Sequence, residues 1–412
     1  MRVCNKHATV GRAAQHKAWA QVVCCLSHLR SSGDIFTFEQ RAKIQGVFSG
    51  VWGVSSVIGP LIGGFLVDHA SWQLVFFLNI PLGILAAIMM TAAWRDVTPR
   101  THAQVDFIGA GLLTGGIVTL LIALSQLNEP RGWELPAFWI LLVTSAALFA
   151  LMFWVERRAP NPILPIALFR DRLFAAAAGH GLLSGFAIFG MTAFIPFFGQ
   201  SVLGVSATAA GAVLTPQMVA WVAGSIISSR LLLRYGYRSI AMLGVTFLTI
   251  GSAMMTQVGA HTPLLYLYVA VGICGLGMGF TIPSFTIAVQ SSVARQAMGT
   301  ATSTLQFSRN IGGAIGVSVL GVILTWRLDE ALTIAGLDPK QFSLGQLLDR
   351  SSAASVSLVP IRDSLASAVE LQFILAFVVV IGAWFAASIA PRGRVETKRV
   401  GEQEGASQPA AE

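Results

Sequence analysis

The side chains able to do chemistry within the apolar stretches of this chain are few. From Leu173 to Leu328 there is no Asp or Glu, and the polar residues left within apolar surroundings are His180, Gln217, Gln306, Arg309 and Asn310. A membrane enzyme or receptor would need a polar constellation or a soluble domain, and the sequence holds neither. Amides, a fixed cation and one titratable imidazole suit recognition better than bond-making. Arg309 is the sharpest of them. The apolar run behind it, 311–324, is too short to cross ~30 Å of hydrocarbon at ~1.5 Å per residue. Its helix must therefore begin several residues earlier and carry the guanidinium into the inner leaflet. There it either lines a polar pathway or snorkels to the headgroups. His180 has a similar pair of readings: a group titrating near neutrality or, more simply, a hydrogen-bonded packing residue. Cys4, Cys24, Cys25 and Cys274 show neither Cys-x-x-Cys spacing nor histidine partners suited to a metal, and take no function.

The elements that must hold these residues are membrane spans. With 54% hydrophobic and only 11% charged residues over 412 positions, the composition is far from the ~25% charge of soluble domains. The expected fold class is all-α integral membrane, with about ten transmembrane helices. They fall near 46–67, 75–94, 107–127, 137–155, 174–198, 207–229, 239–258, 264–289, 303–325 and 369–390. If the segment before the first span is cytoplasmic, the inside segments hold sixteen Lys and Arg residues, among them Arg41, Arg95, Arg157, Arg170, Arg230, Arg295 and Arg392. The outside segments hold five: Arg131, Arg327, Lys340, Arg350 and Arg362. That positive-inside bias places both ends of the ten-span unit in the cytoplasm. The net charge of +8 is spread over span ends rather than gathered on one face, which favours a lipid bilayer as partner and argues against nucleic acid.

The first span carries a small-residue pattern. Gly59 and Gly63 lie four apart on one helix face, where a neighbouring backbone can come close, and Pro60 frees a carbonyl. Ordinary helix packing would explain a single such pair. The whole set, Gly46, Ser55, Gly59, Pro60, Gly63 and Gly64, resembles the antiporter motif in the fifth span of drug:proton antiporters of the major facilitator superfamily, with Ser55 replacing one glycine. The stretch SWQLVFFLNIPLGI, 71–84, resembles the sixth-span lead-in of the fourteen-span, EmrB/QacA-type branch, and NPILPIALFRDR, 161–172, resembles that branch's approach to its second half. RLLLRYGYR, 230–238, resembles the degenerate second copy of the superfamily's inside-loop motif, with Arg234, Gly236 and Arg238 in place and Leu233 where the stronger copy has aspartate. These arginines are either a gate without a charge relay or plain interfacial anchors. An internal repeat points the same way: Gly46, Ser55, Gly59 and Gly63 match Gly299, Ser308, Gly312 and Gly316 at one constant offset. Parallel repeats of two bundles would produce it, and so would chance coincidence of small residues in Gly-rich helices.

The resemblance implies a domain order. Residues 1–34 stand apart as an anomalous, non-family segment; 35–100 hold the last two spans of the first bundle; 101–171 hold two extra linker spans. A complete second six-helix bundle follows at 172–391, and 392–412 form a disordered cytoplasmic tail. The family's first four spans are thus expected to be missing, leaving an N-terminally truncated major facilitator fold. Asp106 is expected to be the N-cap or a first-turn acid of the third span, and 327–368 to be a polar loop holding one amphipathic helix. The implied function is export of amphipathic compounds by proton antiport, in a bacterial inner membrane with the C-terminus cytoplasmic. The proton gradient supplies the energy, with no cofactor, metal or enzymatic step, and a periplasmic adaptor is a further partner in double-membraned bacteria. His180, Gln217, Arg309 and Asn310 are the candidate cavity residues; Arg234, Gly236 and Arg238 are the candidate gate. With Glu370 expected at the outer end of the last span, no carboxylate lies deep in the membrane. The alternative is therefore a truncated, transport-incompetent membrane protein, from a mis-called start, a frameshift or a pseudogene.

Overall fold

The computed structural model describes residues 73–93, 106–127, 132–158, 166–205, 207–294, 297–334 and 359–393, together with Ser55 and Ile58. Regular structure among these residues is helical throughout: α1 (Gln73–Ala93), α2 (Phe107–Gln126), α3 (Pro136–Glu156), α4 (Arg172–Ser201), the short α5 (Ala207–Ala212), α6 (Thr215–Tyr235), α7 (Tyr237–Met255), α8 (Leu264–Ser292), α9 (Met298–Ile334) and α10 (Val359–Ser388). Eight of the described segments are long and apolar enough to cross a membrane, and α1 adds a shorter apolar helix, Phe77–Ala92. The expected first span, 46–67, lies outside the described residues except for Ser55 and Ile58, both helical.

Helix starts follow local chemistry. The Asp106 carboxylate accepts the Gly109 N–H at 2.8 Å and so caps α2, as its place before the apolar run implied. Asp171 caps α4 by accepting the Leu173 N–H at 2.7 Å. Pro136 and Pro216 sit in the first turns of α3 and α6, where no intrahelical donor is lost.

α2 and α3 form a hairpin, closed by the Ser145 hydroxyl donating to the Gly116 carbonyl at 2.8 Å and by the Phe149 ring lying over Gly116. The helices α4, α6, α7, α8, α9 and α10 form a six-helix bundle. Within it α8 packs between α6 and α7, α4 packs between α9 and α10, and α7 meets α10, while α2 meets the bundle at α9. One apolar core gathers Leu248, Met278, Leu320 and Phe373 towards one end of the bundle. A second gathers Phe174, Tyr237, Phe285 and Ala390 at the other end, where α4 and α7 start and α10 stops.

The polar stretch 327–368 departs from expectation. Its first turns extend α9 to Ile334 and its last turns begin α10 at Val359, ten residues before the apolar run. Leu328, Leu365, Ala366, Ala368 and Val369 are all buried, so side-chain packing at helical spacing carries both helices past the end of the hydrophobic pattern. Glu370 is consequently not at a helix end: it lies about three turns inside α10 and is exposed.

Candidate functional site

The polar residues are placed by two pairs of helices that touch backbone to backbone. A methyl group added at Gly312 would run into the Leu182 carbonyl oxygen, one at Gly316 into that of Phe186, and one at Gly185 into that of Arg309. A backbone cannot swing aside as a side chain does, so these contacts fix the register of α4 against α9. α6 and α8 use the same device, with Gly275 against the Gln217 carbonyl and Gly279 against that of Trp221. There the Ser228 hydroxyl also donates to the Gly279 carbonyl, at 3.0 Å. The opposite face of α8 presses Gly277 onto Gly244 and Leu248 of α7.

Two polar levels result along α4. At the first, Arg309 lies beside Gly185, thirteen residues and roughly 20 Å from the start of α4 at 1.5 Å per residue. One guanidinium Nη donates to Gln306 Oε1, and Gln306 Nε2 lies 3.5 Å from Asn310 Oδ1. The Arg309 Nε is buried with no hydrogen-bond partner among the described residues. Gln306 and Asn310 are exposed, so α9 presents a polar strip of three side chains. The second level lies about two turns further along α4. There Gln217, buried on α6, donates from Nε2 to the Thr192 hydroxyl at 3.1 Å, with its Oε1 3.3 Å from the same oxygen. Sequence reading had found Gln217 but not Thr192. A lone threonine in an apolar run carries no signal, because its hydroxyl can be satisfied by the carbonyl one turn back.

His180 does not join either level. It is buried behind the α4–α9 seam, with Nδ1 3.4 Å from the Ala383 carbonyl of α10 and its ring 5.1 Å from that of Phe285 on α8. Its Nε2 is buried without a partner among the described residues. The three loop residues share one turn but do not converge. Arg234 is exposed at the end of α6. Gly236 has φ +77° and ψ 155°, a conformation open essentially to glycine alone, and it reverses the chain into α7. Arg238 donates from Nη2 to the Ser388 carbonyl at 2.9 Å and so ties α7 to the end of α10.

Of the small-residue motif in the first span, Gly46, Gly59, Pro60, Gly63 and Gly64 lie outside the described residues, and Ser55 is helical and exposed. Of its counterparts, Gly312 and Gly316 make the close seam, while Gly299 and Ser308 are only half-buried. Cys274 is buried on α8, and the described residues contain no grouping of His, Cys, Asp or Glu able to hold a metal ion.

Comparison with known proteins places this architecture. The family profile described as Major Facilitator Superfamily matches residues 27–317. "Multidrug transporter protein MdtP" of Bacillus subtilis (strain 168) is 36% identical over 303 residues, covering 73% of this chain and 56% of that protein. "Multidrug resistance protein 3" of the same organism is 31% identical over 378 residues, covering 88% of this chain and 74% of that protein. The chain thus spans little more than half the length of the first of these relatives and about three quarters of the second. With its apolar helices and its glycine-seamed six-helix bundle, the chain belongs to the major facilitator superfamily, a family of membrane transporters and not of enzymes.

Proposed function

We propose that the chain serves multidrug-type export of amphipathic compounds, on the fourteen-span plan, in a bacterial inner membrane with its C-terminus cytoplasmic. The observation that carries this reading is the polar strip Gln306, Arg309 and Asn310 on α9, with Thr192 and Gln217 about two turns further along α4, in a predominantly apolar bundle. Apolar walls with a few adaptable amides suit ligands of varied shape, since each amide can donate or accept as the ligand requires. The relatives' names, a multidrug transporter and a multidrug resistance protein, agree with it. The rigid α4–α9 and α6–α8 pairs suit a carrier in which one bundle rocks against another about a midplane site.

Proton antiport supplies the driving force in this proposal, and it needs a carboxylate whose affinity for protons changes with its surroundings. The sequence from Leu173 to Leu328 has none, so in this proposal the proton carrier lies outside those residues. The same feature favours a second reading, in which these 412 residues bind substrate without coupling its movement to protons. The test is reconstitution of the purified 412-residue chain into proteoliposomes, with dye binding read by fluorescence polarisation and dye flux read under an imposed pH gradient. Gradient-driven flux supports the exporter, and binding without flux supports the second reading. Dye binding unchanged by Gln217→Leu combined with Gln306→Leu would remove the polar strip as the site in either case.

A further inference from the structure

A cavity of about 540 Å³ opens at the end of the bundle where α6 stops, α7 begins and α10 ends, away from both polar levels of the candidate site. It is lined by Tyr235, Arg238, Ser239, Met242, Arg392 and Gly393. The lining is graded. Two guanidinium groups and a hydroxyl come from the helix ends, the exposed Tyr235 ring flanks them, and Met242 lies one turn deeper along α7. Arg238 is held in place by its bond to the Ser388 carbonyl, and Gly393 sits against the Tyr237 ring, where a Cβ would come within 2.9 Å of its edge. Neither arginine is in an ion pair among the described residues, where the salt bridge present is Arg327 with Glu330. Asp171, which acts electrostatically on Tyr237, is already engaged in capping α4 through the Leu173 and Phe174 N–H groups.

We propose that this cavity binds the phosphodiester of an anionic phospholipid, its charge between Arg238 and Arg392 and its glycerol side against Met242. The arrangement fits a lipid better than a soluble anion. Guanidinium groups at helix ends stand at headgroup depth, an exposed tyrosine suits the membrane–water boundary, and the deeper wall is apolar, which a free phosphate could not use. This site shares no residue with the polar strip, and of the candidate gate residues it takes only Arg238.

The test is native mass spectrometry of the full chain in detergent, with phosphatidylglycerol and phosphatidylcholine as probes and inorganic phosphate as competitor. Phosphatidylglycerol is expected to be retained in preference to phosphatidylcholine. Arg392→Gln, at an exposed position outside every helix, should weaken that retention about fivefold, the weight of one arginine near an anionic surface. Arg392→Lys should restore most of it, and Arg158→Gln, on α3's far end and stacked over Trp154, should leave it unchanged. Equal retention of the two lipids would overturn the proposal. So would equal losses in Arg392→Gln and Arg158→Gln, which would mean nonspecific charge, or displacement of the lipid by inorganic phosphate at matching concentration, which would make the ligand a soluble anion.

Discussion

The α2–α3 hairpin and the six-helix bundle are built from similarly apolar helices, yet they meet their neighbours in different ways. The hairpin's two helices are more hydropathic than α4 and α8, but only 17% of each is buried inside the protein, against 50% for α4 and 56% for α8, while α10, as hydropathic as the hairpin, is 44% buried. In water that order would be reversed, since burial follows hydrophobicity. In lipid the acyl chains solvate a leucine as well as another helix would, so what draws helices together is close packing of small residues. The bundle has such contacts, Gly312 on Leu182 and Gly275 on Gln217 among them, whereas the hairpin's glycines meet side chains, Gly116 the Phe149 ring and Gly115 the Leu148 side chain, beside the Ser145 hydrogen bond. A region organised by backbone contact can hold polar side chains at fixed positions.

The contrast breaks most visibly at the seam. Gly312→Leu places a branched side chain against the Leu182 backbone, which has no rotamer to give, and is expected to cost about 3 kcal/mol, at the upper end of overpacking effects. The equivalent change in the hairpin, Gly111→Leu, meets nothing within 4 Å among the described residues and should shift stability by no more than a few tenths of a kcal/mol, roughly the range of unconstrained surface changes. Thermal unfolding of the two purified variants in the same detergent measures both. Similar losses would mean that glycine packing does not distinguish the two regions.

A smaller effect is expected at the turn between α6 and α7, where Gly236 is a backbone device rather than a packing one. Its φ of +77° with ψ of 155° is strained for any residue with a Cβ, so Gly236→Ala should cost about 1–2 kcal/mol even though alanine is the better helix former. The sharpening control is Ser239→Ala, in the helix just beyond, which should be close to neutral. If Gly236→Ala unfolds no earlier than Ser239→Ala, the turn adapts and the glycine is dispensable.

Much of this architecture was legible in the chain. The described spans followed from apolar length, the α2 cap from Asp106 before the run, and the α9 seam residues Gly312 and Gly316 from their match to Gly59 and Gly63 at one constant offset. What escaped notice had long-range causes. Arg238 finds its partner at Ser388, and His180 its carbonyl at Ala383, on a helix far along the sequence, and no local pattern announces either pairing. The ends of α9 and α10 were misplaced because hydrophobicity marks the lipid-facing length, while the buried Leu328 and Leu365 carry both helices beyond it. Thr192 was invisible for the opposite reason, being a residue at ease in any apolar helix until Gln217 is brought beside it.

The hairpin's own bond gives the smallest effect and the finest test of the comparison. The Ser145 hydroxyl is buried and donates to the Gly116 carbonyl at 2.8 Å, across helices rather than to its own preceding turn. Hydrogen bonds between membrane helices average only about 0.6 kcal/mol, because the separated helices find other partners for the same groups. Ser145→Ala should therefore lower stability by roughly that amount. Ser228→Ala removes a hydroxyl that lies 3.0 Å from the Gly279 carbonyl across helices and 3.1 Å from the Ser225 carbonyl of its own preceding turn, inside a seam where Gly279 already rests on the Trp221 backbone. If glycine packing holds the α6–α8 pair and the hydroxyl only adds to it, the two serine variants should lose similar small amounts, while α2 and α3 alone should separate more readily, as read by the rate of disulfide trapping between cysteines introduced on each pair. A larger stability loss from Ser228→Ala than from Ser145→Ala would mean that the hydroxyl, and not the glycine contact, sets the register of α6 against α8. The position of Gln217 would then rest on a single hydrogen bond.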